Sequence, residues 1–358
     1  MYFKRAFYTL LILLSSGIQL KLYAQNRSYF KSIKLKIQKV EPPFFNFYAK
    51  VLYSDSIAVR SSEKVDNDAL VLAGMKIQVM LKYMPAVKHN LIQRGAEMHI
   101  IASNQETSDL PEYRELKGKP YKDNRGLMYK SIDERGRGFG NIYACCPEEN
   151  LLGFMTDRGY ENYDVCAHEF AHVVMDFGLD QSIRDKIRIQ YHKSISRGLW
   201  KGQYTATNPQ EYWAEMSAYY FGANGGELNN TKNSENASAP EALRGYDEEG
   251  YSLVDSVYTG LLQPAMINMQ QAIKVPEDSN PYAYNNTQKC ELTVVNNTGK
   301  KLLVYLNNIP AAGNTVSPYL HKILAVWASQ IVIIKDGSGK VFGYYKAVAP
   351  NSQITISD

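Results

Sequence analysis

Apolar and polar residues alternate along Ser32–Val40 ("SIKLKIQKV"), the period of a strand with one buried face. The period then lengthens. Through "DALVLAGMKIQVMLKYM" apolar residues recur three and four apart, which predicts a helix to about Met84, capped by Asp66 or Asn67. "AEMHIIAS" (Ala96–Ser103) predicts another strand. The polar stretch Asn104–Gly140, rich in Gly and Arg, reads as loops. Three helices are expected next: about Tyr163–Phe177, stopped by Gly178; Asp180 to about Ser196; and Asn208-Pro209 to near Gly222. "NGGELNNTKNSENASAP" (Asn224–Pro240) predicts a low-complexity surface loop, and Asp255–Ile273 a further helix.

"PEDSNPYAYNNTQK" (Pro276–Lys289) reads as a linker. Beyond it the pattern becomes a series of short β-rich runs, among them "CELTVVNN", "KLLVYLNN" and "IVIIKDGSG". "NNTGK" and "DGSGK" are hairpin signals between them. The expected fold class is therefore α+β: a mixed domain over residues 25–275, then a small all-β, sandwich-like domain over 290–358.

Composition bounds the class. With 358 residues, 45% hydrophobic and 21% charged, the chain is neither disordered nor a membrane bundle. The first 24 residues stand apart. Lys4 and Arg5 precede an apolar run from Ala6 to Leu14 and a small-residue site at Ala24, the order of a secretory signal peptide. A secreted or periplasmic protein is expected, with no membrane-spanning segment once the signal is removed. Lys4, Arg5 and Lys21 leave with the signal and no acid does. The 40 basic side chains become 37 against 36 acidic ones, a formal charge of +1, which implies no nucleic-acid partner. Export permits disulfides, and of the four cysteines Cys166 is expected to pair with Cys145 or Cys146. His99 reads as a packed or exposed strand residue and His192 as a solvated one.

The chemistry lies in "DVCAHEFAHVVMDFG" (Asp164–Gly178), which holds the pattern H-E-x-x-H at His168, Glu169 and His172. At about 100° per residue from His168, His172 falls at about 40°, Asp176 at about 80° and Glu169 at about 100°. Cys166, Phe170, Val173 and Phe177 occupy the opposite side. Two imidazoles one turn apart can reach one zinc ion, and Glu169 is placed to take a proton from a water there. Asp176, one turn beyond His172, is a candidate to orient that imidazole from behind.

A catalytic zinc needs a third protein ligand. Residues 175 and 178 are Met and Gly, so the H-E-x-x-H-x-x-G-x-x-H arrangement is absent. A carboxylate from "YTATNPQEYWAEMSAYYFG" (Tyr204–Gly222) is the economical choice. Glu211 and Glu215 share one helix face. Asn208 followed by Glu211 also resembles a capping box, in which Glu211 would bind only backbone and Glu215 would be the ligand.

These two segments together resemble the catalytic-domain family of the anthrax lethal factor, among the gluzincins. That family pairs H-E-x-x-H with a later E-[FY]-[FW]-A-E segment, matched here by Glu211-Tyr-Trp-Ala-Glu215, with Tyr204 seven residues ahead. "EENLLGFMTDRGY" just before the first motif resembles the family more weakly. The match covers roughly residues 149–221. It implies His168, His172 and Glu211 as zinc ligands, Glu169 as general base, Tyr204 as the hydroxyl that stabilises the oxyanion, and Glu215 as a support behind the ligands. Resemblance to zincins further implies that the "AEMHIIAS" strand is the sheet edge that pairs with substrate.

The expected function is a secreted zinc endopeptidase acting on a protein or peptide. The C-terminal domain is left for an unidentified partner. The rival reading is a non-catalytic binding or adhesion protein on a zincin-fold scaffold, against which the intact Glu169 counts.

Overall fold

The structure, a computed structural model, describes residues 35–123, 125–153, 163–222, 239–280, 282 and 285–357. The segment expected to direct export, residues 1–24, lies outside them, as do most of the low-complexity loop and "FMTDRGY". The chain is mixed α+β, with helices and several sheets.

The first sheet contains β1 (Ile37–Phe44), β2 (Tyr48–Ser54), β3 (Ile57–Ser61), β4 (Glu97–Ile101) and β7 (Tyr143–Pro147), side by side in that order. β1 to β3 form an antiparallel meander; β3, β4 and β7 are parallel, with His99 opposite Cys145 and Ile100 opposite Cys146. The parallel step from β3 to β4 requires a crossover. It is made by α1 (Asn67–Leu81) and α2 (Pro85–Arg94). Asp66 caps α1, its carboxylate accepting from Asp68 N at 2.9 Å. The single helix expected to reach Met84 breaks there because Pro85 disfavours helical backbone in the residue before it and suits the first turn of a new helix.

The resemblance to zincins implies an edge position for Ala96–Ser103, and the structure corrects this: β4 is flanked by β3 and β7. Its His99 is fully buried, with Nδ1 2.6 Å from Glu112 Oε1 and Nε2 3.2 Å from Glu97 Oε2. Nor is 104–140 all loop. It holds 3-10 turns at Thr107–Asp109 and Pro111–Leu116, the small hairpin β5 (Tyr121–Lys122) and β6 (Met128–Tyr129), and α3 (Ile132–Arg135).

After α4 (Glu148–Leu152) come α5 (Val165–Val173), α6 (Gln181–Ser196), α7 (Pro209–Tyr220), α8 (Ala239–Tyr246) and α9 (Glu248–Tyr258). They share one core with β2, β3 and α1, in which Leu52, Ile77, Phe170 and Trp213 are almost wholly buried. A disulfide between Cys146 and Cys166 ties β7 to α5, while Cys145 and Cys290 are free and buried. The helix expected over Asp255–Ile273 ends at Tyr258, where Gly260 takes a left-handed conformation just past the cap Thr259.

The β domain starts earlier than the predicted linker. β8 (Gln270–Gln271) pairs with β16 (Asn351–Ile356), and β9 (Ile273–Val275) with β15 (Val341–Lys346). The remaining strands are β10 (Asn285–Asn296), β11 (Leu302–Leu306), β12 (Ile309–Val316), β13 (His321–Ala328) and β14 (Ile331–Asp336). They form two sheets, ordered β13-β10-β16-β8 and β12-β11-β14-β15-β9, whose buried residues make one core. Residues 276–284 thus connect two strands of this domain. The link between the two cores is the irregular segment 259–269, which docks on α2: Asn90 Nδ2 donates to Ala265 O at 2.9 Å, and Ile267 N donates to Asn90 Oδ1 at 2.9 Å. Arg94 adds a bridge, donating to Glu291 Oε1 at 2.5 Å and to Phe177 O at 2.6 Å. Among the described residues no helix is long and apolar enough to cross a membrane.

Candidate metal centre

α5 starts on Asp164, whose carboxylate accepts from Ala167 N at 3.0 Å and pairs with Lys76. This places His168 and His172 one turn apart, with their Nε2 atoms 3.1 Å from each other. α7 begins on Asn208, which caps Glu211 N at 2.8 Å, with Pro209 as its first residue. The indole N–H of Trp213 donates to Ala171 O at 2.9 Å and holds α7 against α5.

The Glu211 carboxylate therefore meets the histidines and not the backbone of a capping box. Its Oε2 is 3.2 Å from His168 Nε2 and 3.3 Å from His172 Nε2. That oxygen is buried and has no hydrogen-bond partner. A buried carboxylate oxygen that stands at nearly equal distances from two imidazole nitrogens is a donor set that could hold a cation. Glu169 also offers a carboxylate oxygen, within 4.8 Å of both imidazoles' ligand atoms. All four side chains are buried.

Behind the site, Glu215 Oε1 lies 3.2 Å from His168 Nδ1. Tyr163, which no motif singles out, donates to Glu215 Oε1 at 2.7 Å and also touches His168 Nδ1. The arrangement fixes the ring with Nε2 facing Glu211. Asp176 does not do the same for His172. The last turn of the helix widens into a π turn at Val174–Gly178, so the 100° spacing fails there, and no hydrogen bond joins Asp176 to His172. Asp176 instead lines the cavity in front of the site.

Burial pushes the His168 imidazole down, but Glu211 and Glu215 outweigh it and hold its pKa at about 10. Burial would raise Glu211; the two imidazoles reverse this and hold it well below the carboxylate range. Glu169 is raised, chiefly by burial, despite both histidines. Burial, then Glu211, push the Tyr204 hydroxyl up, so that it keeps its proton.

Tyr204 sits in a 3-10 turn (Tyr204–Ala206), its ring centroid 6.3 Å from that of His168. It lines the same cavity of about 500 Å³ as His168, Glu169, His172 and Glu211. The opposite wall is Gly138-Phe139-Gly140. Phe139 N donates to Cys145 O at 3.2 Å and Cys145 N to Phe139 O at 3.0 Å, so this segment, not β4, extends the sheet beside the site. The two glycines permit it. A Cβ on Gly138 would lie 2.5 Å from Glu169 Oε1, and one on Gly140 2.4 Å from His172 Cβ. The spacing Gly-x-Gly was the signal available for this contact, within a stretch that otherwise reads as loop.

No protein-family model matches the chain, and no curated protein does.

Proposed function

We propose that this protein is an exported zinc-dependent endopeptidase of the gluzincin kind, with a zincin-like catalytic domain and a sandwich-like accessory domain. The reading rests above all on Glu211 Oε2. It completes a triangle with the two Nε2 atoms whose sides are 3.1, 3.2 and 3.3 Å. Ligand atoms on a tetrahedral zinc with bonds of ~2.0–2.1 Å stand about 3.3 Å apart, so the three donors fit that ion. The resemblance of the two motifs to the lethal factor family supports the same set.

His168, His172 and Glu211 would hold the zinc. Zinc, when bound, supplies Lewis-acid chemistry: it lowers the pKa of a water and polarises a carbonyl. Glu169 takes the proton of the attacking water and delivers it to the leaving amine, a role suited to a carboxyl raised by burial. Tyr204, kept protonated, donates its hydroxyl to the developing oxyanion. The outer edge of Gly138–Gly140 offers backbone groups to an extended peptide. Export is supported by the N-terminal segment and by the Cys146–Cys166 disulfide.

Glu169→Gln tests the reading. The variant should retain one zinc and cleave protein substrates about 100- to 10,000-fold more slowly. Cleavage at the unmodified rate would refute it.

A further inference from the structure

The π turn at Val174–Gly178 is held from outside as well as by its own helix. Arg184 Nη1 donates to Asp176 O at 3.0 Å, Arg94 Nη1 to Phe177 O at 2.6 Å and Asn90 Nδ2 to Gly178 O at 3.0 Å. Side chains of α2 and α6 thus fix the backbone from which Asp176 projects, half-buried, into the cavity wall. π turns of this kind are frequent at functional sites. Among the described residues the Asp176 carboxylate has no hydrogen bond and no ion pair. Arg184 is near, but its Nη1 faces the carbonyls of Asp176 and Leu179 and its Nη2 faces Gln181 Oε1 at 3.1 Å. Burial pushes Asp176 up, and His172 and Arg184 offset this only in part. The wall opposite shows where Asp176 lies along the cavity. A Cβ on Gly138 would meet Val165 and Glu169, and one on Gly140 would meet His172. The segment therefore follows α5 toward its C-terminal end, where Asp176 lies four residues past His172.

We propose that Asp176 is a specificity residue that receives a cationic group of the substrate at the His172 end of the cavity. The cation is a Lys or Arg side chain or a free amino terminus. A carboxylate half withdrawn from water and left without a partner is costly to the fold. A substrate cation supplies the missing charge-assisted hydrogen bond. An extended peptide laid along Gly138–Gly140 passes Glu169, then His172, and so brings one of its residues to Asp176. The inference rests on the metallopeptidase reading, since it uses that reading to place the substrate.

The test uses binding to zinc-loaded protein, followed by calorimetry. Peptide hydroxamates bearing a lysyl, norleucyl or glutamyl residue at successive positions are compared, each with a free amino terminus and as the acetylated form. A lysyl preference of about tenfold over norleucyl in the acetylated series, with glutamyl weakest, assigns a side-chain subsite. A preference of that size for free amine over acetyl, whatever the side chain, assigns an amino terminus. Asp176→Asn, which keeps the shape and removes the charge, should flatten either preference. Asp176→Lys should turn a side-chain preference toward glutamyl. Equal binding of all probes, or a cationic preference that survives Asp176→Asn, overturns this inference alone. Failure of every hydroxamate to bind overturns the zinc site, and this inference with it.

Discussion

Trp213 donates its indole N–H to the carbonyl of Ala171 across 2.9 Å, and this bond ties the two motif helices together within their shared core. Ala171 immediately precedes His172, and Trp213 lies two residues beyond Glu211. Trp213→Phe keeps an aromatic ring in the core and removes the donor. It should cost about 1–2 kcal/mol in urea unfolding and weaken metal retention against a competing chelator. Unchanged chelator competition would show that other contacts place Glu211.

Glu211 and Glu215 have different tasks although they share a helix face. Glu211→Ala removes the oxygen beside both Nε2 atoms and should abolish high-affinity metal binding. Glu215→Gln and Tyr163→Phe alter only what holds His168 Nδ1, and each should lower affinity by about 10- to 100-fold. Metal titrations of the three variants check this ordering. A Glu215→Gln effect larger than that of Glu211→Ala would reverse the assignment.

Two buried imidazoles give the metal-free protein a defined response to alkali. His168 is held at about 10, and His99, despite full burial, at about 9 by Glu112 and Glu97. Both lie above the ordinary value of ~6.5, so folding favours their protonated forms. That stabilisation is complete below pH ~6.5 and is lost as pH rises through about 9 and then about 10. Metal requires His168 neutral, so loading the site should remove its share and leave that of His99. Urea midpoints measured across this range, with and without metal, separate the two. A flat profile in the metal-free protein would be the contrary result.

The Cys146–Cys166 disulfide joins residues 20 apart in sequence and anchors α5 two residues before His168. Closing a loop of that length stabilises the fold by about 3 kcal/mol in the chain-entropy account. Replacing both cysteines with alanine should lower unfolding free energy by that order. Equal midpoints for variant and parent would set that account aside.

The chemistry was more legible than its surroundings. His168, Glu169 and His172 are spaced by the helix itself, so sequence fixes their relation. Glu211 was not separable from Glu215 by spacing, since both face one way; only the approach of α7 to α5 decides between them. Asp176 failed as an orienting residue because helical periodicity assumes an unbroken α-helix, and this one widens after Val173. β4 reads like any half-buried strand, yet its position depends on where β7 pairs, a long-range choice. Tyr163 leaves no local mark, because its partners lie 5 and 52 residues away. The predicted linker at 276–289 failed for a similar reason. Two- and three-residue strands such as β8 and β9 are too short for periodicity and exist only through their partners.

Arg94 gives the molecule a load path. The C-terminal strand β16 is gripped by β10, β10 carries Glu291, and Arg94 joins Glu291 to the carbonyl of Phe177. Phe177 lies five residues past His172. Tension applied to β16 would therefore have a route, through Arg94, to the helix that bears both imidazoles, and a pull on the β domain would be felt at the candidate site as well as in the fold.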